Sequence, residues 1–110
     1  MATMLAIFKH DGSLELQPLD DSLAQLQRAV GGYIEAVSTK REDLHLYCHE
    51  EGAYVLPVNP HAAKLVLALE GEERPIWPIH GNLVICGCVD CETAPLSDEQ
   101  VREIQQKSKL

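Results

Sequence analysis

The chain has few aromatic and few basic residues, and it has no long hydrophobic run. Only 5% of its 110 residues are aromatic, so the core expected from a hydrophobic content of 45% must be built from Leu, Val, Ile and Ala. An aromatic side chain at the surface of such a chain is a candidate contact residue. No apolar run approaches the roughly 20 residues that span a bilayer, which excludes a membrane-spanning helix.

Nine basic residues stand against seventeen acidic ones, and the net charge is −8. Binding to a nucleic-acid backbone depends on clustered Lys and Arg, so the composition excludes direct nucleic-acid binding as the expected activity. The acids come in scattered pairs, which is typical of a solvated surface. A nucleic-acid mimic that occupies the basic groove of a DNA-binding protein is the sharper alternative.

The N-terminal segment Met1–Lys9 has no basic leader and only a short apolar part. That pattern predicts a first strand and not a signal peptide. We therefore expect a cytoplasmic protein, in the host cytoplasm if the source is viral, in which the four cysteines stay reduced.

Motifs for catalysis and metal binding are also missing. No GxxxxGK[ST] phosphate loop occurs, and every serine fits a cap, a strand or a tail instead of the sharp elbow of a hydrolase. Cys86, Cys88 and Cys91 lie within six residues, but only Cys88 and Cys91 have the CxxC spacing of a zinc knuckle, and no second such pair exists. We expect no catalytic residue, no metal and no cofactor, and favour a binding protein over an enzyme.

The stretch 26–37 carries the most specific pattern in the chain. A helix with Leu26 and Val30 on one apolar face reaches paired glycines, and Gly31 fits the left-handed position that ends many helices. The composition of 33–37 then predicts a strand. The alternative is one continuous helix to Val37, which would hold two glycines at about 1 kcal/mol each relative to alanine.

Turn and cap residues predict the other elements. A strand over 3–8 and the Asp11-Gly12 turn indicate a hairpin that returns over 13–16, and Asp20, Asp21 and Ser22 suit the start of the first helix. The remaining elements follow from alternation, glycines and caps. They are a strand over 44–49, a returning strand over 53–56, a helix over 61–69 capped by Asn59 and ended by Gly71, a strand over 83–86, and a helix over 98–106 begun by a Ser97–Gln100 capping box.

Together these elements predict an α+β fold, with a small mixed, mainly antiparallel sheet and two or three helices packed on one face. The length favours a single domain over 1–110. Within it we expect an N-terminal hairpin over 1–19, a core over 20–106 and a frayed tail over 107–110.

Seven polar or aromatic residues are predicted to contact a ligand. His45, Tyr47 and His49 share one face of the strand over 44–49 and form a strip suited to stacking or hydrogen-bonding a flat molecule. An ordinary solvated face is the alternative. The other candidates flank the glycine turn or lie at the cap after it. The full set is Gln27, Tyr33, Glu35, His45, Tyr47, His49 and Asn59.

Several short motifs follow one another in a characteristic order: Leu26-Gln27, Val30 to Glu35, Glu50-Glu51-Gly52, Pro57-Val58-Asn59, Gly81-Asn82, and Leu96 to Gln100. Over residues 20–106 this order resembles a family of small domains of unknown function in phages, plasmids and bacteria, with the signature LQxxVGGYIE. His49 and the cysteine cluster depart from the family pattern. The family has no activity to carry over; the resemblance implies a phage- or mobile-element-type accessory protein, and hence binding in preference to catalysis.

The leading hypothesis is a non-enzymatic accessory protein that binds and sequesters a small nucleotide-like ligand in counter-defence. Two alternatives stay open: an acidic protein-interaction module or inhibitor of a host nucleic-acid-binding enzyme, and a small zinc-binding or hydrolytic protein. The expected partner is a small molecule or a host protein, and self-association through a sheet edge is also open. A phosphorylated ligand would need local cations, and the internal candidates are Arg28, Lys40, Arg41, Lys64 and Arg74.

Overall fold

The computed structural model describes residues 4–20 and 23–109. Its strands are β1 (Met4–Phe8), β2 (Leu14–Pro18), β3 (Ile34–Ala36), β4 (Leu44–His49), β5 (Leu83–Val89) and β6 (Glu92–Ala94). Its helices are α1 (Leu23–Val30), α2 (Gly52–Val55), α3 (Pro60–Glu70) and α4 (Asp98–Lys107). All described strand pairings are antiparallel, in the order β2-β1-β5-β4-β3, and β6 also pairs with β5. The predicted α+β class with a mainly antiparallel sheet is confirmed.

One face of the sheet is covered by α3 and α4, and we call it the closed face. Strands and helices both contribute fully buried apolar side chains to it, as expected where the hydrophobic effect drives the layers together. The strand residues are Ala6, Phe8, Leu44, Leu46, Leu83 and Ile85, and the helix residues are Ala62, Leu65, Val66, Leu69 and Ile104.

The opposite face is covered only in part, by α1, and we call it the open face. Leu26 and Val30 of α1 pack there against Leu5, Ile7, Val84 and Cys86 of the sheet. Successive side chains of a strand point to opposite faces, so the neighbours Val84 and Ile85 belong to different clusters. The helices therefore lie on both faces, with two of them sharing the closed face.

The glycine junction has the predicted order of helix, glycine and strand. α1 ends at Val30, and Gly31 has the left-handed φ of +84°. The N–H groups of Gly31 and Gly32 donate to the carbonyl of Gln27 at 2.8 and 3.0 Å, which closes the last helical turn. A continuous helix to Val37 is wrong. Of the expected N-terminal residues, Thr3, Asp21 and Ser22 lie outside the described part of the chain.

The returning strand over 53–56 is wrong, because this segment forms the short helix α2. Tyr54 N–H donates to the Glu51 carbonyl at 2.9 Å, and Leu56 N–H donates to the Gly52 carbonyl at 2.9 Å. β4 is already paired with β3 on one side and β5 on the other. Since both edges of β4 are occupied, no edge is left for a strand that folds back beside it.

The two long helices begin at the predicted caps, and α3 also ends at the predicted glycine. The Asn59 side chain accepts from His61 N–H and Ala62 N–H at the start of α3, and Gly71 ends that helix with a φ of +72°. At α4, both hydrogen bonds of the Ser97–Gln100 capping box are present. Within the ranges that the structure describes, no helix is long and apolar enough to cross a membrane.

Candidate functional site

Three polar side chains on the open face form a closed hydrogen-bonded triangle. His45 Nδ1 lies 3.2 Å from the Tyr47 hydroxyl and 3.1 Å from Thr93 Oγ1, and the two hydroxyl oxygens are 2.9 Å apart. The His45 and Tyr47 rings meet edge to face, with centroids 6.0 Å apart, an arrangement that aromatic pairs favour. The triangle joins β4 to β6 across β5.

The triangle borders an open groove of about 800 Å³, which we call the β4 groove. Cys88, Asp90 and Cys91 line it from the turn between β5 and β6. Asp90 and Cys91 both have positive φ values, 52° and 66°, as the two central residues of a type I′ hairpin turn require. The full lining consists of Ala36, Val37, Thr39, Arg41, Glu42, Leu44, His45, Leu46, Tyr47, Cys88, Asp90 and Cys91.

Tyr47 also contributes to the core of the open face. It packs against the cluster that contains Cys86, which is completely buried. Burial raises the pKa of the Cys86 thiol to about 12, so the reactive thiolate is scarce at neutral pH. Cys86 is thus a small apolar core residue, while Cys88 and Cys91 are the thiols that border the β4 groove.

The β4 groove offers no free cation from its described lining. Arg41 is the only Lys or Arg there, and all five of its N–H groups are engaged by Asp43, Glu103 and the Leu69 carbonyl at 2.8–3.0 Å. The Arg41 guanidinium holds the pKa of Asp43 far below its usual range. Glu42 and Asp90 are exposed at the groove. This arrangement can hydrogen-bond a ring, but it gives no charge for a phosphate.

His49 continues the polar strip but makes different contacts. Its Nδ1 accepts from Glu51 N–H at 2.9 Å. Its ring lies so close to Gly32 that a Cβ on that glycine would be 2.9 Å from His49 Cδ2. The His49 ring therefore occupies the space that a side chain at position 32 would need, which explains the glycine there.

The other predicted residues near the glycine junction are divided between the two sides of the sheet. Gln27 is half-buried on α1, and its carbonyl accepts the two glycine N–H groups. Tyr33 is 73% exposed, and its carbonyl accepts from Glu50 N–H. Glu35 pairs with Cys48, a residue packed against the closed-face cluster. Glu35 therefore lies on the side opposite to His45 and Tyr47.

Asn59 is buried, and its polar atoms are used within the fold. Besides capping α3, its Nδ2 donates to the Gly81 carbonyl at 2.9 Å, and its backbone N–H donates to the Ile79 carbonyl at 2.7 Å. It joins the start of α3 to the segment 79–81, which precedes β5. The structure therefore gives Asn59 a clear role in folding. It is not among the residues that line the β4 groove.

Of the seven predicted residues, only His45 and Tyr47 line the β4 groove. Sequence reasoning missed Thr93, which completes their triangle. A signal for it exists, since reading Asp90-Cys91 as a two-residue hairpin turn pairs Cys88 with Thr93. The same turn reading would have extended the strand over 83–86 to include Cys88 and assigned Cys91 to the turn. Residues 4–20 and 23–109 contain no group of three or more His, Cys, Asp or Glu that could hold a metal ion.

The family described as a domain of unknown function, DUF3846, matches residues 4–109. The match covers nearly the whole chain, and the chain belongs to this family. No curated protein and no solved structure matches.

Proposed function

We propose that this member of the DUF3846 family binds a small, nucleobase-like ring in the β4 groove and does not transform it. The observation that carries the proposal is the hydrogen-bonded triangle of His45, Tyr47 and Thr93 at the border of that groove. Small-molecule sites typically combine a few fixed polar groups with apolar side chains, and the lining of this groove contains both. The groove volume, about 800 Å³, lies within the range of such sites.

The triangle supports recognition of a ring edge. His45 uses Nδ1 for the two hydroxyls, and no hydrogen bond from the described residues engages its Nε2. In the neutral imidazole Nε2 accepts when Nδ1 donates and donates when Nδ1 accepts, so either tautomer leaves Nε2 one hydrogen bond to offer a ligand. A heteroaromatic base, with donors and acceptors along its edge, matches this chemistry.

The charges favour the base of a nucleotide-like ligand over its phosphates. Of the cations considered for phosphate binding, Arg41 and Arg74 are held in two-point contacts with carboxylates. Lys40 pairs with Glu72, and Arg28 pairs with Asp20. Lys64 is exposed on α3, whose packed side is the closed face. A phosphate near Glu42 and Asp90 would meet like charge. We therefore propose a neutral or cationic ring as the ligand.

Sequestration is the biological role that we propose for this binding, in the phage- or mobile-element-type setting implied by the LQxxVGGYIE resemblance. A sequestering protein lowers the free concentration of its ligand without consuming it. It must therefore release the ligand chemically unchanged when it is denatured, whereas a hydrolase would release products. Mass spectrometry of the released fraction distinguishes the two.

The proposal is tested by calorimetric titration and thermal shift with a nucleoside and its mono- and triphosphate. We expect the nucleoside to bind and to raise the melting temperature, because a ligand that binds only the native state stabilises it. Affinity should fall as phosphates are added. Tyr47→Phe, which removes one hydroxyl of the triangle, should weaken nucleoside binding about threefold to tenfold.

Tyr54→Phe is the matched control, since it makes the same chemical change at a side chain that is 89% exposed on α2. Its affinity should equal that of the unaltered protein. Equal losses in both variants, or binding that strengthens with each added phosphate, would contradict the assignment of the ligand to the β4 groove. Absence of binding by a panel of nucleosides covering all common bases would contradict the proposed ligand class.

A further inference from the structure

β3 is the outermost described strand at one edge of the sheet, and no described strand pairs with its outer side. Tyr33 C=O accepts from Glu50 N–H, and Val37 N–H donates to Leu46 C=O, both at 2.8 Å. In an antiparallel ladder every second residue points its backbone groups at the neighbouring strand. The N–H and C=O groups of Ile34 and Ala36 therefore point outward, and no strand in the described ranges pairs with them.

A second groove runs along this edge, which we call the β3 slot. It has a volume of about 430 Å³ and lies between β3 with its following residues and the segment 74–79. Cys48 of β4 also lines it. The facing segment contains Pro75, Ile76, Trp77 and Pro78, which supply an apolar and conformationally restricted wall. Open backbone groups on one side and an apolar wall on the other are the features that peptide-binding sheet edges use.

Trp77 is the exposed aromatic of this wall. It is the only tryptophan of the chain and is 90% exposed. An indole in water is a good partner for a Lys or Arg side chain, which is attracted to the face of the ring. An indole also supplies apolar area at low entropic cost, which makes tryptophan common among the residues that dominate binding energy.

The unpaired charge of the β3 slot is negative. Arg74 lines the slot, but its Nε and Nη2 donate to Glu70 at 2.9 and 2.8 Å, so its charge is neutralised. Glu35 is exposed at the centre of β3 and has no ion pair in the described part of the chain. With a net charge of −8, the protein attracts cationic segments over a longer range as well.

We propose that the β3 slot binds an extended basic peptide segment of another protein, which adds as a strand beside β3. The backbone of the peptide pairs with Ile34 and Ala36, and its Lys or Arg side chains contact Glu35 and Trp77. The β3 slot is the surface that we assign to the alternative of an acidic protein-interaction module. It does not depend on ligand binding in the β4 groove, although Ala36 and Val37 border both grooves.

A second copy of the chain fits the β3 edge less well than a basic peptide. In the antiparallel self-pairing that joins Ile34 of one copy to Ala36 of the other, Glu35 would stand directly opposite the Glu35 of the second copy. Like charges directly opposite in a ladder are destabilising. A cationic residue at that position of a peptide would instead form an ion pair.

The test uses short end-blocked peptides that alternate Lys or Arg with Val, and matched peptides that carry Glu in place of the cations. Because Trp77 is the only tryptophan, its intrinsic fluorescence reports directly on the slot. We expect saturable fluorescence changes with the basic peptides and none with the acidic ones. By calorimetry, Trp77→Ala should weaken binding about tenfold and Glu35→Gln about threefold.

Glu99→Gln is the control for general charge attraction, since Glu99 is an exposed acid on α4. It should leave the affinity unchanged. Amide hydrogen exchange supplies an internal control: Ile34 and Ala36 should gain protection on binding, while Glu35, whose N–H faces β4, should not. Equal effects of Glu35→Gln and Glu99→Gln, or no protection at Ile34 and Ala36, would overturn the proposal. So would an absence of binding by every basic peptide, or a dimer that exchange maps to this edge.

Discussion

The two faces of the sheet are built from the same alternating strands but are completed in different ways. On the closed face, α3 and α4 bury the apolar side chains fully, and Arg41 ties the segment before β4 to both helices through Leu69 and Glu103. On the open face, α1 covers only part of the sheet. Beside it, His45, Tyr47 and Thr93 satisfy one another and leave hydrogen-bonding capacity toward solvent.

This difference separates structural from candidate functional polar residues. On the closed side, the polar groups of Asn59 and Arg41 are hydrogen-bonded to other groups of the protein. His45, on the open side, bonds within the fold through Nδ1, while no hydrogen bond from the described residues engages its Nε2. A buried polar group must be fully bonded, because an unsatisfied one costs about 1–3 kcal/mol. Beneath covering helices a polar group is therefore used up within the fold, whereas an uncovered part of the sheet can keep one available for a ligand.

The largest expected effect compares the helices that cover the two faces. Leu65→Ala on α3 should lower the free energy of unfolding by about 2–5 kcal/mol, since it leaves a cavity in a closed core. Leu26→Ala on α1 should cost less, at the lower end of that range, because Leu26 is 7% exposed against 2% for Leu65 and its site can relax toward solvent. Urea denaturation of both variants measures the difference. Equal losses would show that the open face is packed as firmly as the closed one.

An intermediate loss of stability is expected at low pH, and it arises from carboxyl groups on the closed side. The hydrogen bonds from Arg74 lower the pKa of Glu70 from 4.5 to about 2, and those from Arg41 lower the pKa values of Asp43 and Glu103. A carboxyl group whose pKa is lower in the folded state contributes stability above its unfolded pKa. That contribution is lost as the pH falls through the folded value. The free energy of unfolding should therefore decline from about pH 4.5 toward pH 2.

Glu103→Gln tests the source of this decline. At pH 7 it should lower the free energy of unfolding by about 1.5–3 kcal/mol, the range for a hydrogen bond to a charged group. The loss at low pH should be smaller, because the unaltered carboxyl is then protonated as well. Glu99→Gln, at an exposed acid on the same helix, is the control and should change little at either pH. A pH-independent loss in Glu103→Gln would argue against the charge as the cause.

The smallest expected effects are those of substituting the two glycines that follow α1, and they differ in cause. Gly31→Ala should cost about 1–2 kcal/mol because its φ is left-handed, and nothing lies close to the added methyl group. Gly32→Ala should cost a similar amount for another reason, namely contact with the His49 ring. In a double-mutant cycle, His49→Ala should restore stability to Gly32→Ala and not to Gly31→Ala. Restoration of both, or of neither, would contradict this division.

Much of the fold could be predicted from local patterns, because the physical causes of those patterns are local. Asn59 and Ser97 bond to N–H groups within three residues of themselves, and Gly31 adopts a φ that other residues disfavour. The alternation over 44–49 divided the two faces of β4 correctly for the same reason. The segment 53–56 was predicted wrongly because its conformation depends on whether β4 has a free edge, which only the pairing of distant strands decides.

The candidate site was less predictable than the fold. His45 and Tyr47 could be assigned to one face from the alternation of β4 alone. Thr93 is 46 residues from Tyr47 in sequence, and no periodicity links the two. Glu35 could not be assigned to a side without the register that pairs it with Cys48. The same is true of Asn59, whose burial depends on contacts with distant carbonyl groups.

The sequence by itself determined both ends of α3, the start of α4, the glycine junction and the alternating faces of β4, because each depends on neighbouring residues. The shortage of positive charge follows from composition. Tertiary structure alone decided which face of the sheet stays open, that Thr93 completes the triangle with His45 and Tyr47, and that no described strand pairs with the outer side of β3. These features depend on strand order and register. Both are set by which apolar surfaces the whole chain can bury at once, and no local pattern contains that information.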